Sequence, residues 1–165
     1  MCIRDSRWRK LNLCGGGEET AVLVQTAHEN IIINPVLKGH LLREAIYDAR
    51  GLEPSDITRV ICLKSDPKNT PDVRIMKNAQ LYLPKWVLEA ERQSGEDVLH
   101  KRNFNAWETT TEMPIDIVEI GSTAVCVFES GGKKIAVASG CCDEQSLVDF
   151  GVDVSIMGGE VRILQ

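Results

Sequence analysis

A succession of short, β-branched apolar runs, broken by turn residues and interrupted by only a pair of helical segments, restricts this chain more than anything else in it. Segments 22–25, 31–33, 59–63 and 80–83 read as strands in the first half, and 115–120, 123–129, 134–138 and 152–156 in the second. Leu41, Leu42, Ala45, Ile46 and Ala49 form one stripe of a helix over 37–50 that stops at Gly51. Pro84 opens a second helix, over 84–93, that stops at Ser94-Gly95. Strands this short bury their apolar faces only by stacking in layers, so the pattern predicts an α+β sandwich with a β-rich second half. Segment 96–111 shows no period and is long for a structureless connection, which predicts a lid or an insertion there.

Composition narrows the class. With 165 residues, 43% of them hydrophobic and 26% charged, the chain can bury one sizeable core and does not read as disordered. No apolar run approaches the roughly 20 residues that a membrane-spanning helix needs. A net charge of −5 and a pI near 5.3 argue against a nucleic-acid surface, because phosphate binding requires clustered Lys and Arg. Cys62 and Cys126 lie inside apolar strands and no Cys-x-x-Cys pair is present, so the 6 cysteines point to a reducing, cytoplasmic setting rather than a disulfide framework. His28, His40 and His100 lack the spacing that brings two imidazoles to one metal and read as solvated. Trp86 and Trp107 read as packing residues, and Asp143-Glu144 as solvated turn charges.

The run Val60-Ile61-Cys62-Leu63-Lys64-Ser65-Asp66-Pro67-Lys68-Asn69-Thr70-Pro71 is an apolar strand leading into a polar loop. Its frame resembles the strand and loop of the metallo-β-lactamase superfamily, where the strand runs into Thr-His-x-His-x-Asp-His. Lys64, Asp66, Lys68 and Asn69 stand at the His, His, Asp and His positions. The resemblance extends along the chain. Ala21-Val22-Leu23-Val24-Gln25-Thr26 and Ile31-Ile32-Ile33-Asn34-Pro35 resemble the family's opening hairpin, with Asn34 at the Asp of Asp-x-Gly. Met113-Pro114-Ile115-Asp116-Ile117-Val118 and the residues after it resemble the Thr-Pro-Gly-His-x-Pro-Gly-Ser run, with Val118 at the His. Lys134-Ile135-Ala136-Val137-Ala138-Ser139-Gly140-Cys141 resembles a strand ending in Gly-Asp, with Cys141 at the Asp, and Gly159 falls at the last His of Pro-Gly-His-Gly.

The resemblance implies a four-layer αββα sandwich, truncated at both ends, in which these positions share one edge. It also implies zinc, which in such hydrolases is held by imidazole and carboxylate around one open position for water. The residues present contradict that chemistry. An ammonium has no lone pair to offer a metal, and two of them would repel a divalent cation. The expectation is therefore a metal-free, catalytically inactive protein with no cofactor, one that binds a small anion or accompanies an active paralogue. Lys64 or Lys68 either pairs with Asp66 in place of the metal's charge or points into water. The alternative is a zinc-dependent hydrolase of esters, thioesters, amides or phosphodiesters using non-standard ligands. A thiol activity at Cys141 or Cys142 lacks a neighbouring general base in the sequence.

The segment Met1-Cys2-Ile3-Arg4-Asp5-Ser6-Arg7 resembles read-through from a sequencing adapter. Residues 1–10 are accordingly set aside as a non-native leader, and 11–165 are read as one domain.

Overall fold

The computed structural model describes residues 7–10, 21–36, 39–64, 73–94, 104–109, 115–140 and 142–165. The first sheet holds six strands in the order β1 (Arg7–Lys10), β2 (Val22–Gln25), β3 (Asn30–Ile33), β4 (Arg59–Ile61), β5 (Gln80–Leu83) and β6 (Phe104–Ala106). β1, β2 and β3 are antiparallel, whereas β3 to β6 run parallel. Parallel neighbours need a crossover, and helices α1 (Gly39–Arg50) and α2 (Lys85–Ser94) supply two of them. The second sheet holds β11 (Glu160–Ile163), β10 (Val154–Met157), β9 (Lys133–Ala138), β8 (Thr123–Ser130) and β7 (Ile115–Ile120) in that order, with a short helix α3 (Glu144–Asp149) between β9 and β10.

Side-chain alternation along these strands sorts the core into three apolar layers, because successive residues of a strand face opposite ways. Leu23, Ile32, Val60, Cys62 and Leu83 pack under Leu42, Ala45 and Ile46 of α1 and Leu88 of α2. Val22, Val24, Ile31, Ile33, Ile61 and Leu63 face Cys126, Phe128, Ile135, Val137 and Ile156 of the other sheet. Val125, Val127, Ala136 and Ala138 face outward onto Leu147 of α3 and Val152. The result is the αββα order of layers that the resemblance implies. The stripe over α1 holds as well, with Leu42, Ala45 and Ile46 buried and Leu41 and Ala49 packed at its margin.

The structure departs from the sequence reading in several places. Segment 96–111 contains β6 and a 3-10 turn over Trp107–Thr109, so its described part belongs to the sheet and is no lid. Trp107 is the anchor there, 5% exposed, its indole N–H donating to the Ile115 carbonyl at 3.0 Å and its ring edge-on to Tyr82 with centroids 5.1 Å apart. Asp143 is exposed, as the sequence reading has it, and is also the N-cap of α3, its carboxylate accepting the Ser146 N–H at 3.0 Å. Arg7–Lys10, within the segment set aside, pair with β2 as an edge strand.

At the start of the parallel strands a polar clamp replaces apolar packing. Arg59 pairs with Glu29 at 3.2 Å, donates to the Tyr82 hydroxyl at 2.9 Å and lies over its ring, while Thr58 donates to Glu29. These bonds satisfy groups at the mouth of the inter-sheet layer that burial would otherwise leave unpaired.

Cys126 is fully buried between the sheets, and desolvation pushes its thiol pKa far above the ordinary 9.0. A raised folded pKa favours the neutral form, so the contribution is intact below pH 9.0 and is lost as pH rises above it, when only the unfolded chain ionises. Between wild type and Cys126→Val, the stability difference should shift by about 1 kcal/mol against wild type from pH 8 to pH 10, as read by urea denaturation.

Candidate functional site

The ends of the strands create the site. β3 and β4 are parallel, so the residues that follow them, Asn34 and Lys64, leave the first sheet at the same edge. In the second sheet β9 and β10 are parallel and β8 runs against β9, so the end of β9 at Gly140 lies beside the turns Gly121-Ser122 and Gly158-Gly159. One contact joins the two edges across the sandwich. A methyl group at Gly140 would sit 3.4 Å from Nζ of Lys64, so the exposed lysine reaches over the inter-sheet layer and ends against that glycine.

Asn34 delivers Lys64 to this place. It is 2% exposed and has φ of +56°, a left-handed conformation that Asn tolerates better than other residues with a Cβ. Its N–H donates to the Ile61 carbonyl at 2.9 Å, and its side-chain oxygen accepts the Leu63 N–H at 3.2 Å. Ladder pairing of β4 with β3 ends at Ile61, and the Asn34 side chain carries the bonding two residues further. That is why 59–63 reads as strand in the sequence although regular pairing is shorter.

Of the positions singled out from the sequence, the structure brings Lys64 and Gly159 to this edge and leaves Val118 elsewhere. Val118 lies within β7 opposite Val125 and packs against the layer beneath α3. A ligand at that position would therefore point away from the gap between the sheets. The sequence match placed it there because it carried the family's loop onto residues that form a continuous strand. β7 and β8 pair as far as Ile120 and Thr123, and only Gly121-Ser122 connects them. β10 and β11 are likewise joined by Gly158-Gly159 alone. Positive φ at Gly121, Gly158 and Gly159 suits such two-residue hairpins. Neither turn has a spare residue to carry a ligand over the edge. Asp66, Lys68, Asn69 and Cys141 lie outside the described residues.

These observations test the fit to zinc. Among the described residues, no group of three or more His, Cys, Asp or Glu side chains is placed to hold a metal ion. Among the described residues, this edge carries an ammonium, which cannot coordinate, and the turns Gly121-Ser122 and Gly158-Gly159, whose one polar side chain is the Ser122 hydroxyl. The described donor set does not fit zinc. Cys142, beside the site, is half-buried, and burial together with the neighbouring Asp143 carboxylate raises its thiol pKa. A thiol so held is a poor nucleophile. Peptide mass spectrometry after iodoacetamide treatment of the native protein at pH 7.5 should find Cys62 and Cys126 unmodified and Cys142 modified more slowly than after unfolding.

No protein-family model matches the chain, and no curated protein sequence matches it. Solved structures do. TM0894 of Thermotoga maritima, assigned to the metallo-β-lactamases, superposes with a TM-score of 0.70 at 12% identity, over 97% of this chain and 100% of its own. The chain has the metallo-β-lactamase fold. YhfI of Bacillus subtilis, described by that fold, matches with a TM-score of 0.61 at 11% identity, over 91% of this chain and 69% of its own. The dizinc quorum-quenching lactonase AidC matches with a TM-score of 0.57 at 13% identity, over 72% of this chain and 55% of AidC, so the chain spans about half of that enzyme. Within the metallo-β-lactamase fold, the edge carrying Lys64, Gly140 and the two hairpin turns is the one that the sequence resemblance assigns to the metal. No helix among the described residues is long and apolar enough to cross a membrane.

Proposed function

We propose that this chain is a metal-free, catalytically inactive member of the metallo-β-lactamase fold that acts through binding, taking a small anion at the emptied edge or standing as a silent partner beside an active paralogue. The observation that carries this reading is the Lys64 ammonium reaching Gly140, a positive charge at the edge where the resemblance would put the metal. A lysine suits a carboxylate or phosphate as a point charge with three donors. The two hairpin turns on the same edge, Gly121-Ser122 and Gly158-Gly159, carry no His, Cys, Asp or Glu. The unbridged thiols of Cys126 and Cys142 suit the cytoplasm.

Elemental analysis of protein purified without a His tag, followed by zinc titration, tests the reading. The expected result is no stoichiometric metal and no saturable uptake. Near-stoichiometric zinc, iron or manganese would overturn it in favour of a zinc-dependent hydrolase with non-standard ligands. Titration with inorganic phosphate should then show saturable binding in wild type and its loss in Lys64→Ala, with folding unchanged because Lys64 is exposed.

A further inference from the structure

β11 is the edge of the second sheet among the described strands, paired to β10 and to no other. The antiparallel ladder shows which of its peptide groups remain available. The N–H of Leu164 bonds the carbonyl of Asp153 at 2.8 Å, and bonding alternates along such a pair. Glu160 and Arg162 therefore direct their peptide groups to β10, whereas Val161 and Ile163 direct theirs outward.

The side chains of these same outward-bonding residues are unusual for a free edge. Val161 and Ile163 lie opposite Ile156 and Val154, on the face turned toward the inter-sheet layer. Ile156 is fully buried there, yet Val161 is 44% and Ile163 is 82% exposed. An apolar stripe thus runs off the core onto an open backbone edge, the combination that natural edge strands avoid with prolines, bulges or charges. The charges of β11 stand on its other face. Arg162 is held there by Glu160 at 2.8 Å and by Glu144 of α3, which keeps it off the apolar stripe.

We propose that the free edge of β11 pairs antiparallel with β11 of a second copy of this chain, joining two five-stranded sheets into one, with Glu160 of each copy opposite Arg162 of the other. The occupant follows from charge. A two-fold axis through Val161 sets that residue opposite itself and matches each acidic position with a basic one, and opposite charges across a strand pair attract. The same axis makes the contact isologous, so it closes at two copies and does not extend into a fibre. One short strand pair buries less than about 1,200 Å², which sets the affinity in the weak, micromolar range. This inference rests on the edge geometry and is independent of the loss of the metal.

Sedimentation of the full chain from about 10 to 500 μM, the range expected for a contact of this size, provides the test. Wild type is expected to pass from monomer to dimer. Val161→Pro removes the outward N–H and leaves the β10 bonds intact, so it is expected to stay monomeric with an unchanged Tm. Arg162→Glu and Glu160→Arg each place like charges opposite one another and are expected to be monomeric alone, and to form a dimer when mixed in equal amounts. Wild type that stays monomeric, Val161→Pro that dimerises as wild type does, or mixed charge variants that fail to associate would each overturn the proposal. If Val161→Pro does not fold, the mixed pair decides it.

Discussion

Trp107→Ala should destabilise the protein by about 3–5 kcal/mol, the range for deleting a buried aromatic, and lower Tm by roughly 10 °C. The loss has three physical parts. The indole fills space between the sheets beside Tyr82, its edge-on contact adds to simple burial, and its N–H satisfies the buried Ile115 carbonyl. Trp107→Phe should recover most of the packing and lose only the hydrogen bond, and the two variants should differ clearly in urea midpoint. A residue in a solvated lid would change stability by about 0.5 kcal/mol or less, so a small effect for Trp107→Ala would restore the lid reading of 96–111.

Asn34→Ala is expected to cost about 2–5 kcal/mol, because two penalties combine. An L-residue without a short polar side chain sits poorly at φ of +56°, at about 1–2 kcal/mol, and the buried Leu63 N–H loses its acceptor, at about 1–3 kcal/mol. Asn34→Gly separates them by relieving the backbone while still orphaning the N–H. Both variants should speed hydrogen exchange at the Leu63 amide, whereas Asn34→Asp keeps an acceptor and should protect it. Equal stability of the Ala and Gly variants would show that backbone strain contributes nothing here. Phosphate binding should weaken in both, since the Asn34 bond fixes the end of β4 from which Lys64 departs.

How much of this was legible beforehand varies with the kind of information involved. Continuous apolar runs such as Val22-Leu23-Val24 and Ile31-Ile32-Ile33, bounded by polar turn residues, announce strands, and the stripe Leu42, Ala45, Ile46 announces a helix, because both signals are local. The run at 60–71 likewise shows its chemistry on its face, since Lys64 differs from a metal-binding His wherever it sits. β6, α3 and β11 escaped notice for a common reason. Phe104–Ala106 is too short to show a period, Glu144–Asp149 offers one buried residue, Leu147, and Glu160–Ile163 is exposed on every residue, so none writes a hydrophobic pattern into the chain.

The sequence by itself determined an α+β sandwich with a β-rich second half and the identity of every side chain in the 60–71 run, and its resemblance to the metallo-β-lactamase superfamily supplied the αββα layering. The apolar runs and the residue identities hold whatever the register of the strands. Only the tertiary structure decided which positions meet. It brought the Lys64 ammonium to Gly140, turned Val118 to the far face of its sheet, and shortened two connections to glycine hairpins, because strand parity and turn length depend on pairing between segments far apart in the chain.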